Sequence, residues 1–168
     1  YTLSDTLSLH DALPILVEQG HDVTVVYQTS GNLAVPDEEA IMAVDLVAEL
    51  AAAFETSTGP AAVFARDTGR ELLAKSAFDG DTAPIRRLKG LLRRGEARAA
   101  LKGCGVAAAQ IRFSDLAFYE RGRYRQFSPD RADVASVVAM LRELRPHQVF
   151  ATGDRDDPSS ITAVCFDL

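Results

Sequence analysis

The side chains best suited to chemistry in this chain lie far apart in sequence. Asp154, Asp156 and Asp157 crowd together just after "QVFATG", an apolar stretch that reads as a strand. The loop after a strand is where an open α/β sheet binds ligands. The cluster therefore fits a hard cation, or else a turn whose aspartates cap the next helix. Thr29, Ser30 and Asn32 follow a second such stretch, "VTVVYQ". Their hydroxyl and amide groups suit a sugar, or simply the turn these residue types favour. Asp115, in "FSDLAFYERG", either faces the same cleft or stabilises its own loop. Of the histidines, His21 and His147 each open a strand after a helix stop, and neither has another histidine near it. A zinc site needs three or four converging ligands, so ligation is not expected of them.

Composition narrows the classes. A chain of 168 residues, 47% apolar and 25% charged, has the content of one soluble globular domain. A net charge of −6 argues against nucleic acid or an acidic membrane surface as partner, since both would repel it. No apolar run approaches the roughly 20 residues that span a bilayer, and no basic region precedes an apolar core at the N-terminus. Cys104 and Cys165 are too few and too distant for a disulfide framework or a CxxC site, which fits a reducing cytoplasm.

One segment requires separate treatment. "TLSLHDALPI", Thr6 to Ile15, matches at all ten positions the translation of a common sequencing-library adapter, ACT CTT TCC CTA CAC GAC GCT CTT CCG ATC. Residues 1–15 are therefore expected to be foreign, and His10 and Asp11 to carry no functional information. The chain opens on Tyr1 and stops within "VCFDL", so truncation at both ends is also expected.

From Leu16 onward the elements alternate. "LVEQGHDVTVVYQT" reads as a helix end, a stop at Gly20 and a strand. Pro36 and the acids after it open a helix with Ile41, Val44, Val47, Leu50 and Phe54 on its inner stripe. Residues 61–84 read as weakly helical, with turns at Gly69 and Gly80. The next helix is cationic, with seven Lys or Arg between Arg86 and Lys102 against one acid, Glu96. At 100° per residue, Arg87, Arg94 and Arg98 share one stripe and Arg86, Lys89 and Arg93 the next, leaving Ile85, Leu88 and Leu92 for the core. That cationic face is either solvated or turned to an anion or a subunit. "AQIRFSD" then reads as a strand, Ser128 as the N-cap of a helix with Pro129 at its first position and Val134, Val137, Val138, Leu141 and Leu144 inside, and "QVFATG" as a last strand. Alternation of this kind predicts a doubly wound α/β fold.

Four of these stretches, "LVEQGHDVTVVYQTSGN", "IRRLKGLLRRGEARAA", "FSDLAFYERG" and "RPHQVFATGDRDDP", together resemble the PIG-L/LmbE family of zinc-dependent N-deacetylases, in order and at compatible spacing. More narrowly, they are similar to the PIG-L-type half of fused glucosamine-6-phosphate deaminase proteins. The resemblance covers nearly all of residues 16–168, as a partial domain. It implies a Rossmann-like, mostly parallel sheet that is incomplete here because its first strand is missing. In the family a His-Pro-Asp-Asp motif supplies two zinc ligands and the base. Its place lies just before residue 16, where the adapter-like segment stands. The family's later His-x-x-His falls on "SSIT", with Ser159 and Thr162 where histidines are expected, and hydroxyls are poor zinc ligands. The resemblance thus implies zinc for the family and none for this fragment. It leaves Thr29, Ser30, Asn32, Asp115, Asp154 and Asp157 as candidates to bind an amino sugar or sugar phosphate, and leaves self-association open. Two readings follow: an inactive piece of an amino-sugar N-deacetylase domain, or a non-catalytic module of the same fold that binds sugar or mediates assembly.

Overall fold

The structure is a computed structural model that describes residues 9–76, 78–121, 128–151 and 164. It is α/β and mostly helical, with two short strands among the described residues, and it divides into two compact units. One unit comprises Tyr1–Ser30 with Arg98–Leu168, and the other is Gly31–Ala97.

In the first unit, α1 (Leu9–Glu18) runs without a break through the expected boundary at residue 15. It ends as the sequence predicts. Gly20, at φ 79°, donates to the Val17 carbonyl, and His21 donates to Leu16, so a left-handed glycine closes the helix and satisfies its last carbonyls. The same device ends α4 (Ala83–Gly103), where Gly105 at φ 80° donates to Lys102 and Val106 to Leu101. Both stops feed strands. β1 (Val25–Tyr27) pairs in parallel with β2 (Ile111–Phe113), in the register Val25–Ile111, Val26–Arg112, Tyr27–Phe113. Leu13, Leu101 and Val106 form the buried centre beside the sheet, with Val17, Val23, Val25, Cys104 and Ile111 packed against it. Tyr27 and Phe113 stack at 5.4 Å, and the Arg98 guanidinium lies 5.2 Å from the Phe113 ring centre.

Two expectations for this unit need correction. The N-cap of α6 (Arg131–Leu144) is Asp130, with Pro129 outside the helix, in place of Ser128. Asp130 Oδ1 accepts from the Ala132 and Asp133 amides, and Asp133 Oδ2 accepts from the Asp130 amide; this reciprocal box outcompetes a lone serine. On α6 Val137 is buried, whereas Val134 is exposed. Residues 148–151 form no strand, and Val149 and Phe150 are exposed. Strand composition becomes a strand only where a neighbour completes the backbone ladder. The rest of that stretch lies outside the described residues.

The second unit is helical. α2 (Asp37–Ala53) starts after Pro36 with Asp37, Glu38 and Glu39 in its first turn, where carboxylates oppose the positive end of the helix. α3 (Pro60–Ala74) is a full helix, firmer than the sequence indicates. Gly69 sits inside it and makes no turn. A Cβ there would come within 3.2 Å of Val44 Cγ2, so the glycine is what allows α3 to lie so close to α2. Ala40, Val44, Ala65, Leu72, Ile85 and Leu88 form the core, with Ile41, Val47 and Phe64 against it. Leu50 and Phe54, expected inside, are exposed. The inner stripe of α2 drifts to Ala51 instead, because a 3.6-residue period carries positions 50 and 54 off the buried face.

The two units differ in what secures them. A three-residue, two-stranded ladder is marginal alone, whereas the helical unit has a contiguous core. Amide hydrogen exchange is therefore expected to be slowest within α2 and α3, around Ala40, Val44 and Leu72, and faster across Val25–Tyr27. Residue-resolved exchange by NMR checks this order.

Candidate functional site

In parallel sheets the carboxyl ends of the strands are the ligand-binding edge. Here that edge carries Thr29 and Ser30 after β1 and Ser114 and Asp115 after β2. Backbone bonds hold the two loops together beyond the strands proper: Ser114 N–H donates to Tyr27 O at 2.9 Å, and Leu116 N–H to Gln28 O at 2.8 Å. Asp115 is exposed and left-handed, at φ 46°, an uncommon setting for a residue with a side chain, though aspartate tolerates it better than most. Ser30 Oγ donates to Glu120 Oε1 at 2.9 Å, which brings a carboxylate from α5 (Ala117–Arg121) to the same edge. Hydroxyls and carboxylates in this setting can exchange hydrogen bonds with a polyol.

The predicted site residues are not all brought together. Thr29, Ser30 and Asp115 belong to one unit and one edge. Asn32 belongs to the other unit and is 1% exposed, so it lies inside that unit and off the surface edge. Asp154, Asp157, Ser159 and Thr162 lie outside the described residues. His21 and His147 are exposed, and among the described residues no three His, Cys, Asp or Glu side chains converge as a metal would require. Glu120 was not singled out in the sequence, since its pairing with Ser30 spans 90 positions and leaves no local signal.

The strongest electrostatic feature is elsewhere, in the second unit. Lys75, just past the end of α3, donates to Asp37 Oδ2 at 2.7 Å and to Asp81 Oδ1 at 2.5 Å. Lys89, inside α4, donates to Asp37 Oδ1 at 2.6 Å and to Asp81 Oδ2 at 3.1 Å. Two ammonium groups and two carboxylates thus close a neutral ring, with Asp81 and Lys89 almost wholly buried. Of the readings open for the cationic face, Lys89 does not follow the solvated one; the anions it meets are Asp37 and Asp81 of its own chain. Its stem packs between helices while its charge is matched twice. Burial alone would raise the Asp37 carboxyl, but the bonds from Lys75 and Lys89 outweigh it and hold the group below its ordinary 3.8. Burial likewise works to lower the Lys75 ammonium, and its bonds to Asp37 and Asp81 overcome this and raise it above 10.5. Other cations of α4 are also engaged: Arg86 donates to the Asp81 carbonyl at 2.7 Å, Arg93 pairs with Glu96, and Arg87 lies over Phe64.

Comparison with known proteins gives one clear relation. A glucosamine-6-phosphate deaminase-like protein of Bacteroides thetaiotaomicron is 38% identical to this chain over 164 residues, which are 97% of the chain and 25% of that protein. The chain therefore spans about a quarter of the length of the curated relative it matches. No family model matches the chain. No solved structure matches it either. Among the described residues no helix is long and apolar enough to cross a membrane.

The charge ring generates a stability prediction. Asp81→Ala leaves two buried ammonium groups sharing one carboxylate, and breaking a buried pair in this way costs about 3–5 kcal/mol. Replacing both members, as Asp81→Leu with Lys89→Met, is expected to recover much of that loss. Urea unfolding of the single and double variants measures it. The pH dependence has a definite sign. The lowered Asp37 contributes stability fully above 3.8, lost as pH falls through its folded value. The raised Lys75 contributes stability fully below 10.5, lost as pH rises through its folded value. Between those limits the contribution of these two groups is level.

Proposed function

We propose that this chain is a piece of a longer protein of amino-sugar metabolism, and that its own segment is a PIG-L/LmbE-like domain whose natural ligand is an amino sugar or sugar phosphate. The observation that carries this reading is the 38% identity, sustained over 164 residues, with a glucosamine-6-phosphate deaminase-like protein. The parallel strand pair supports it, because Thr29, Ser30 and Asp115 follow its strands at the carboxyl edge and Ser30 bonds there to Glu120. In this reading residues 1–15 are foreign to the parent, which has a metal-binding motif in their place, although the 164 matched residues include at least 11 of those 15.

The fragment binds and does not turn over. Hydrolysis of an N-acetyl group by this family's route needs a metal-bound water and an adjacent base, and losing either costs orders of magnitude in rate. A second reading, a sugar-binding or assembly module with no catalytic role even in the parent, is favoured by Ser159 and Thr162 at the positions where the resemblance calls for histidines. The parent's upstream sequence separates the two. An intact His-Pro-Asp-Asp there restores the deacetylase reading in part, and a degenerate one supports the module.

The expected outcome for the 168-residue chain is no hydrolysis of N-acetylglucosamine or its 6-phosphate with added zinc, and no stoichiometric metal by elemental analysis. Zinc near one per chain, with turnover abolished by a chelator, would falsify the reading. Re-amplifying the locus from source DNA tests the foreign segment separately; recovering codons for residues 6–15 in unfragmented template defeats that part alone.

A further inference from the structure

The second unit segregates its charge. α2 carries Asp37, Glu38, Glu39, Asp45 and Glu49 and no Lys or Arg, whereas α4 carries seven bases against Glu96. Asp37 is used internally, in its pairing with Lys75 and Lys89. Glu38, Glu39, Asp45 and Glu49 are exposed and enter no ion pair with another described residue.

The outer side of α2 is also apolar. Met42, Leu46 and Leu50, four residues apart on one ridge of α2, are 71%, 60% and 48% exposed, away from the buried Ala40, Val44 and Ala51, and Phe54 at the C-cap is 72% exposed. A helix with apolar residues on both sides is one that ends up covered on both. On α4, Arg87, Leu91 and Arg94 share an outward stripe in which Arg87 and Leu91 are exposed. Arg87 is held at the surface over the Phe64 ring, at 5.7 Å from its centre.

We propose that the outer ridge of α2 docks on the Arg87, Leu91 and Arg94 stripe of α4 in a second copy of this chain, and that the reciprocal contact closes a two-fold dimer. Charge selects this pairing. Glu38, Asp45 and Glu49 line one flank of the apolar ridge, so α2 laid antiparallel on α2 would set like charges against each other. Laid on α4, the same acids meet arginines while Leu46 and Leu50 meet Leu91. Two contacts related by a two-fold also stop the association at a dimer, where a single heterologous contact would propagate.

The test is light scattering on the 168-residue chain during gel filtration. The expected mass is twice 18.1 kDa at low salt, shifting toward monomer as salt rises from about 0.05 M to about 1 M. Leu46→Lys and Arg87→Glu each change exposed side chains, and each is expected to weaken the dimer about tenfold or more. Far-UV circular dichroism confirms that a variant keeps its helices; where Leu46→Lys does not, Met42→Gln takes its place. Mixing the two variants is expected to restore association in part, because one α2–α4 contact in the mixed pair is intact. A monomer at every concentration, salt-insensitive aggregation, or a mixture no stronger than either variant alone overturns the proposal.

Discussion

Burying charge is tolerated only when every charge is answered, and in this protein that constraint organises the helical unit. Asp37 starts α2, Lys75 follows α3, Asp81 precedes α4 and Lys89 lies within it, so the neutral ring specifies where three helices begin, end and lie. The hydrophobic contacts of Val44, Leu72 and Ile85 supply attraction but little direction. The ring supplies direction, because an ammonium must reach two carboxylates at once. Arg86 also donates to the Asp81 carbonyl, so the turn before α4 is held by side chains as well as by its backbone.

The elements that the sequence makes legible are those with local causes. Gly20 and Gly105 end helices because a left-handed residue costs glycine nothing extra, and both act as expected. Pro36 and the acids after it open α2 as read. What stayed hidden depends on distant partners. Lys89 has the composition of a surface residue and is buried because Asp37 and Asp81 come to it. Gly69 reads as a turn and serves as a helix contact because Val44 lies opposite. Leu50 and Phe54 read as part of the inner stripe, yet the 3.6-residue period carries them off the buried face.

The candidate site was legible to the same degree. The rule that polar residues after parallel strands gather at one edge locates Thr29, Ser30 and Asp115 from sequence alone. The rule cannot say that Asn32, two positions beyond Ser30, turns into the protein, nor that Glu120 joins Ser30 from 90 positions away. The acidic and hydroxyl residues after 151 were read by the same rule and lie outside the described residues.

Asp133 carries a consequence for substitution. One of its oxygens accepts the Asp130 amide and completes the start of α6; the other accepts the Phe118 amide at 3.3 Å and ties α5 to it. Both acceptors belong to a single buried carboxylate. Asparagine has nearly the same shape, but its amide has only one acceptor oxygen and would present N–H to one of two donors. No isosteric replacement serves both, so the position tolerates aspartate for reasons of valence and not of size. The start of one helix and the placement of another are thereby inherited together.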